Sequence, residues 1–368
     1  MKLTDMVNPA VLTQPVYEPG RPIEDVAREM GLNPKDVIKL ASNENPLGSS
    51  PKALAAMRAA LEQVARYPDG GSLALSEKLA ARHAVTREQI VIGNGSNELL
   101  ELLGHIFLRP GDEAVMGQSA FVVYKLVTLL FGAKPVEVPL DHAFVHDLEA
   151  MKSAITARTK LVFLPTPNNP TGTTNDVGQL ADWAAGLPDH VVLVVDEAYG
   201  EYLDELVDWG PLISAGRKIV VLRTFSKIFG LAGLRVGYGR STPEMASLLQ
   251  RVRQPFNVNL VGQAGALAAL DDADWVDYCR RENAEGLRQV SSALDTLGLR
   301  YLPSWGNFLL VEVGNGRAVF NQLQRQGIIV RPVEIYGLPK WVRITIGKSE
   351  ENDRLIRRIS EGINQSKQ

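Results

Sequence analysis

The sequence has a single cysteine, Cys279, in 368 residues. An intramolecular disulfide is thereby excluded, and so is a metal centre built on thiolates. The setting of that residue, Asp-Tyr-Cys-Arg-Arg, reads as a charged helix and gives the thiol no chemical role. Aromatics are scarce as well, at 7% of a chain that is 45% hydrophobic. The apolar content is therefore mostly aliphatic, which suits a Val/Ile/Leu-rich sheet buried on both faces. An excess of one charge is also missing: 39 basic and 42 acidic residues leave a formal net charge of −3. Such a balance gives no electrostatic reason to expect a nucleic acid or an anionic membrane as partner. No apolar run approaches the ~18 residues of a spanning helix, and residues 1–15 lack the apolar stretch of a secretory leader. The expectation is a soluble cytoplasmic protein.

What is present is alternation. Length alone favours two domains, or one large domain with a smaller one attached. Residues 1–45 are rich in Pro, Gly and Asn and read as an arm and an entry loop, with one short helix at 23–30. Amphipathic patterns predict helices at 51–64 and 73–82. Short apolar strands then follow at 90–92, 113–116, 134–138, 161–164, 191–195 and 219–222. Helical segments at 97–107, 121–131 and 147–154 lie between them. Such units imply a mainly parallel sheet covered on both faces, with ligands bound beyond the carboxyl ends of the strands. From about residue 260 the character changes. Helices at 261–269 and 275–297 lead to strands at 308–311 and 342–346 and a last helix at 350–363. The division expected is 1–45 as arm and part of a small domain, 46–270 as a large domain, and 271–368 as a small α+β domain.

Four polar motifs sit at strand ends. Ser226-Lys227 follows the strand at 219–222; partial burial there lowers an amine's pKa and makes it a usable nucleophile, although a lone Ser-Lys is more often an exposed loop. Asp196 ends the run Val-Val-Leu-Val-Val, with Tyr199 three residues on; it is suited either to holding a cation or to capping a helix. Asn168-Asn169-Pro170-Thr171-Gly172 forces a turn whose amides can reach a ligand, or is simply a turn. Gly93-Asn94-Gly95-Ser96-Asn97 lets the backbone approach a phosphate at a helix N-terminus, or is only a tight connection. Arg235 lies eight residues beyond Lys227. Taken together, an anion cradle, a lysine nucleophile and a carboxylate at the ends of one sheet are what pyridoxal phosphate requires.

With those motifs, the chain resembles the aspartate-aminotransferase superfamily of fold type I, and more narrowly the histidinol-phosphate aminotransferases. The likeness runs from Tyr17 to the last helix. It implies an α/β fold, with a mainly parallel seven-stranded sheet in a large three-layer αβα domain plus a smaller α+β domain. It also implies pyridoxal 5′-phosphate as cofactor. Lys227 would carry the cofactor covalently and shuttle the substrate proton. Asp196 would pair with the ring nitrogen, and Tyr199 and Asn169 would donate to the 3′ oxygen. Phe121, in Ser-Ala-Phe-Val-Val-Tyr, would stack on the ring, unless it is simply a core aromatic. Ser96, Asn97, Thr224, Ser226 and Arg235 would hold the phosphate. Tyr67, in Arg-Tyr-Pro-Asp, would reach that phosphate from a neighbouring subunit, which implies a homodimer with composite sites. Arg343 and Arg331 would bind substrate anions, and Tyr17 and Asn43 would line the substrate pocket.

The activity implied is amino transfer between L-histidinol phosphate and 2-oxoglutarate, giving imidazole acetol phosphate and L-glutamate, in histidine biosynthesis. The alternative is an aromatic amino-acid aminotransferase. A decarboxylase of amino-acid phosphates, or an effector-binding domain of a regulator, fits less well. The segment from Arg331 to Pro339 carries a polar insert that departs from the family pattern. No role is assigned to Tyr336, Asn257 or Asn259, although the loop around the two asparagines is a candidate for the pocket wall.

Overall fold

The computed structural model describes residues 1–12, 14–16 and 20–366, the side chains of 362–366 aside. The short strand β1 (Ile38–Lys39) precedes a central sheet of seven. These are β2 (Ile90–Gly93), β3 (Glu113–Gly117), β4 (Lys134–Val138), β5 (Thr159–Pro165), β6 (Val192–Asp196), β7 (Ile219–Thr224) and β8 (Gly237–Arg240). Their spatial order is β2-β8-β7-β6-β5-β3-β4. Neighbours pair in parallel except at β8, which runs antiparallel to both β2 and β7.

The strands form where the sequence has unbroken aliphatic runs because both sheet faces are covered. In β6, Val192 and Val194 pack with Leu99, Leu103 and Leu222 on one face. Leu193 and Val195 pack with Leu180, Trp183 and Ile213 on the other. Each such side chain removed from water is worth about 1.5–3 kcal/mol. The period of two thus serves two cores at once.

Several elements are not legible in the sequence, among them helix Gly316–Arg325, β8 and two helices of the large lobe. β8 has the sequence Gly-Tyr-Gly-Arg, which carries no β-branched residue to mark it. Helices Val177–Ala185 and Pro243–Val252 start at side-chain caps: Asp176 accepts from the Gln179 N–H (3.0 Å) and Thr242 from the Met245 N–H (3.2 Å). The helix expected over 51–64 ends at Ala60 and tightens into a 3₁₀ turn, Leu61–Gln63.

The smaller lobe holds β9 (Phe308–Glu312), β10 (Ile328–Ile329), β11 (Arg331–Pro332) and β12 (Trp341–Thr345). β11, β12 and β9 form an antiparallel sheet, while β10 pairs in parallel with β1. One apolar cluster joins Val26, Ala27 and Leu40 to Val290, Leu309, Ile344 and Leu355. The early segment is therefore fastened to the last part of the chain. A Thr345 N–H to Leu40 carbonyl bond of 2.9 Å continues that fastening toward the central sheet.

Candidate active site

Sheet register gathers the polar motifs. Pro165 lies beside Asp196, and Asp196 beside Leu222. Gly237 is flanked by Thr224 on one side and Gly93 on the other. The turns leaving these strands therefore open on one edge. A cavity of about 220 Å³ lies there, lined from the large lobe and from Arg331, Tyr336 and Arg343 of the small one.

The floor is built for an anion. Helix Ser96–Phe107 begins at this edge, and its first N–H groups have no partner within the helix. Gly95 has φ +76°, and a Cβ there would lie 2.6 Å from Arg235 Nη2. A Cβ on Gly237 would lie 2.4 Å from the Ser96 nitrogen. Only glycine allows the strand, the helix start and the guanidinium to meet this closely. Arg235 itself has φ +56°, a left-handed conformation unusual for a non-glycine residue. Its Nη1 donates to Ser226 Oγ at 3.2 Å, and Thr224 Oγ1 accepts the Ser226 N–H at 3.1 Å.

Lys227 stands above this floor. Phe225 and Ile228, both fully buried, pin the chain near it. The Gly230 N–H closes the turn on the Lys227 carbonyl at 2.9 Å. Nζ lies 3.4 Å from the Ser42 carbonyl and 5.5 Å from the centroid of Tyr199. Burial, seconded by the Arg343 and Arg235 charges, lowers its pKa to about 8. The amine is therefore neutral above roughly that pH. In the apoprotein, acylation of Lys227 by a small reagent should rise through a midpoint near 8; a midpoint near 10, read by peptide mass mapping across pH, would contradict this.

Asp196 is buried, and burial pushes its carboxyl up. The Tyr124 hydroxyl at 2.7 Å, the Ala198 N–H at 3.1 Å and the Lys227 charge oppose that. Tyr199 is pushed up to about 12, chiefly by burial, and keeps its proton. Its oxygen accepts from Asn43 Nδ2 at 2.8 Å, which leaves the hydroxyl hydrogen to donate. Asn43, at φ +54°, is fixed by its N–H to Thr345 Oγ1 (2.9 Å) and by Asn307 Nδ2 on its carbonyl (3.1 Å). Arg343 Nη1 donates to Asn169 Oδ1, which orients that amide and leaves Nδ2 as its donor. A phosphate-bearing pyridine with an oxygen on the ring fits this set. It offers the anion the floor is built for, a cationic nitrogen for the buried acid, and an acceptor for the two unspent donors.

Arg343 is buried, and its Nη2 donates to the Ala41 carbonyl at 2.6 Å. It faces Arg331 directly across the β11–β12 pair. Like charges at such positions oppose each other, and an anionic ligand between them would relieve that. Phe121 lines the cavity just before helix Val122–Leu130.

The expected residues Ser96, Asn97, Phe121, Asn169, Asp196, Tyr199, Thr224, Ser226, Lys227, Arg235, Asn43, Arg331 and Arg343 all line this one cavity. Tyr67 does not: it is 82% exposed and stacks on Phe256, with centroids 4.7 Å apart. Tyr17 lies outside the described residues. Residues 255–259 do not reach the cavity. Asn257 instead bonds Glu98 and Arg253, and Asn259 caps helix Leu260–Ala269. Among the other lining residues are two tyrosines, Tyr124 and Tyr336, whose place in the site the sequence motifs do not announce. Tyr124 was within reach, since it follows Phe121 by three residues and so shares its helix face. Tyr336 carried no local signal. Among the described residues no His/Cys/Asp/Glu group could hold a metal ion.

Comparison with known proteins agrees with this geometry. The family described as aminotransferase class I and II matches residues 35–359. Histidinol-phosphate aminotransferase 2 of Pseudomonas fluorescens is 47% identical, covering 97% of each chain. Histidinol-phosphate aminotransferase of Methylobacillus flagellatus is 49% identical, covering 92% of each. The crystal structure of histidinol-phosphate aminotransferase from Sinorhizobium meliloti in complex with pyridoxal-5′-phosphate has a TM-score of 0.90 at 28% identity, covering 98% of each chain. The chain belongs to the aminotransferase class I and II family and, within it, to the histidinol-phosphate aminotransferases.

Proposed function

We propose that this enzyme uses pyridoxal 5′-phosphate to transfer an amino group between L-histidinol phosphate and 2-oxoglutarate, a step of histidine biosynthesis. The observation that carries the reading is the pair Arg331 and Arg343, opposed on adjacent strands above the Lys227–Asp196 edge. Guanidiniums bind phosphate and carboxylate by the same bidentate geometry. One site can therefore take a phosphate-bearing donor and a dicarboxylate acceptor in turn. The names of relatives 43–49% identical over nearly their whole length support the phosphate-bearing substrate.

The cofactor supplies an electron-withdrawing ring and the carbonyl carbon that receives the amino group. Ser96, Asn97, Thr224, Ser226 and Arg235 hold its phosphate. Asp196 keeps the ring nitrogen protonated, and the Tyr199 hydroxyl and Asn169 Nδ2 donate to the ring oxygen. Lys227 is the covalent anchor. Its Nζ, neutral above about pH 8, would also be the base that takes the proton from the donor's Cα. Arg343 orients the carboxylate of the acceptor, Arg331 the second anion, and Tyr17 and Asn43 enclose the substrate. Phe121 covers the ring face. Exposed Tyr67 supports a homodimer in which that residue completes the partner's site; a monomer with full activity at low concentration would sink this part. The apolar cluster joining residues 26–41 to 290–359 supports the division at 45 and 270. No described helix is long and apolar enough to cross a membrane, and we read the enzyme as cytoplasmic.

The test is kcat/KM for histidinol phosphate against phenylalanine, each with 2-oxoglutarate. A preference of about a hundredfold or more, roughly 2.7 kcal/mol of transition-state binding, is expected for histidinol phosphate. Comparable values would make this an aromatic amino-acid aminotransferase.

A further inference from the structure

Tyr124 is enclosed in the large lobe. Its hydroxyl donates to Asp196 Oδ2 at 2.7 Å, across 72 residues of chain. Its ring stacks on Phe163 of β5, centroids 4.8 Å apart and planes within 7°. Phe121, one helical turn earlier, meets that ring edge-on at 5.7 Å. One short helix and the residue just before it thus supply the partner of the buried acid and an aromatic lining the cavity. The helix is gripped from outside by Gln14, whose Nε2 donates to the Leu126 carbonyl at 2.9 Å.

A carboxylate this buried stays charged only if donors or cations face it. Around Asp196 these are Tyr124 from the helix, the Ala198 N–H from its own turn, and Lys227 from the turn after β7. Glu197 opposes ionisation, but its own charge is taken up by Arg223 and by Trp209 Nε1. Tyr124 is the only side-chain hydroxyl recorded on the carboxylate among the described residues. Held in an apolar setting beside an acid, it keeps its proton and always donates.

We infer that Tyr124 is a positioning residue: through its single hydrogen bond it fixes the Asp196 carboxylate and holds it ionised for the cofactor's ring nitrogen. The inference rests on the proposed role of Asp196, so the two are tested side by side. Tyr124→Phe keeps the ring stack and deletes only the hydroxyl. Cofactor affinity is measured by equilibrium dialysis of pyridoxal phosphate between about pH 5 and 8 for wild type, Tyr124→Phe and Asp196→Asn. A hydrogen bond to a charged group is worth about tenfold or more in an equilibrium constant. Tyr124→Phe should therefore weaken binding roughly tenfold at neutral pH. It should also move the acid midpoint of cofactor loss up by on the order of one pH unit. Turnover should fall, with the KM of the amino donor changed less than about twofold. If Asp196→Asn binds weakly while Tyr124→Phe matches wild type in affinity and midpoint, the inference is overturned and the Asp196 reading stands. Equal weakening at every pH with an unmoved midpoint would mean that Tyr124 only packs, and also overturns it. If Asp196→Asn binds as wild type, both fall.

Discussion

Replacing Lys227 with alanine abolishes turnover, a loss of about 10⁴-fold or more in kcat, because one side chain serves as covalent anchor and as proton carrier. A surface lysine would change nothing of the kind. The same substitution leaves the apoprotein's melting temperature unchanged or higher. The amine's folded pKa of about 8 lies below its ordinary 10.5, so the charged form is disfavoured by folding. That cost is full below about pH 8 and disappears as pH rises toward 10.5. Removing the amine removes the cost. Calorimetry of both apoproteins near pH 7 checks the sign, and a lower melting temperature in the variant would contradict it. Stability and activity then move in opposite directions at this position, as expected of a group held for chemistry.

Arg343→Gln should lower kcat/KM for 2-oxoglutarate by on the order of 10²-fold or more, the loss of charge-assisted hydrogen bonds to a carboxylate. Arg343→Lys should restore little, since a point charge does not reproduce the planar fork. The change also reaches Lys227. Arg343 is the second cause of that amine's lowered pKa, after burial. Without it the amine titrates above 8, and the acylation midpoint of the apoprotein moves upward. Asn169 Oδ1 loses its donor at the same time, which frees the amide to turn. An upward shift of the Lys227 midpoint together with the loss in kcat/KM supports this coupling. A substrate defect with an unmoved midpoint would place Arg343 at the substrate alone.

Much of this molecule is legible in its sequence because the chemistry sits in short motifs at strand ends. Val-Val-Leu-Val-Val before Asp196 declares a strand buried on both faces, and the acid after it declares the ligand edge. Lys227, Asn169 and Ser96 are legible for the same reason. β8 was not, since its Gly-Tyr-Gly-Arg is chosen for close approach to the Ser96 turn rather than for β propensity. Tyr124 and Tyr336 act through distant contacts, one with Asp196 and the other through the Ser119 hydroxyl on the Tyr336 carbonyl at 2.8 Å. No local pattern encodes such partners. The asparagines at 257 and 259 had the composition of a binding loop, yet they serve the fold by bonding a neighbouring helix and capping the next one.

The central claim is that Lys227 holds the cofactor at the sheet edge. Borohydride reduction of the yellow holoenzyme, followed by digestion and peptide mass mapping, tests it directly. The account predicts a single phosphopyridoxyl adduct, on the peptide containing Lys227, with loss of activity in proportion to its formation. An adduct on another lysine, or none despite full loading, would contradict it.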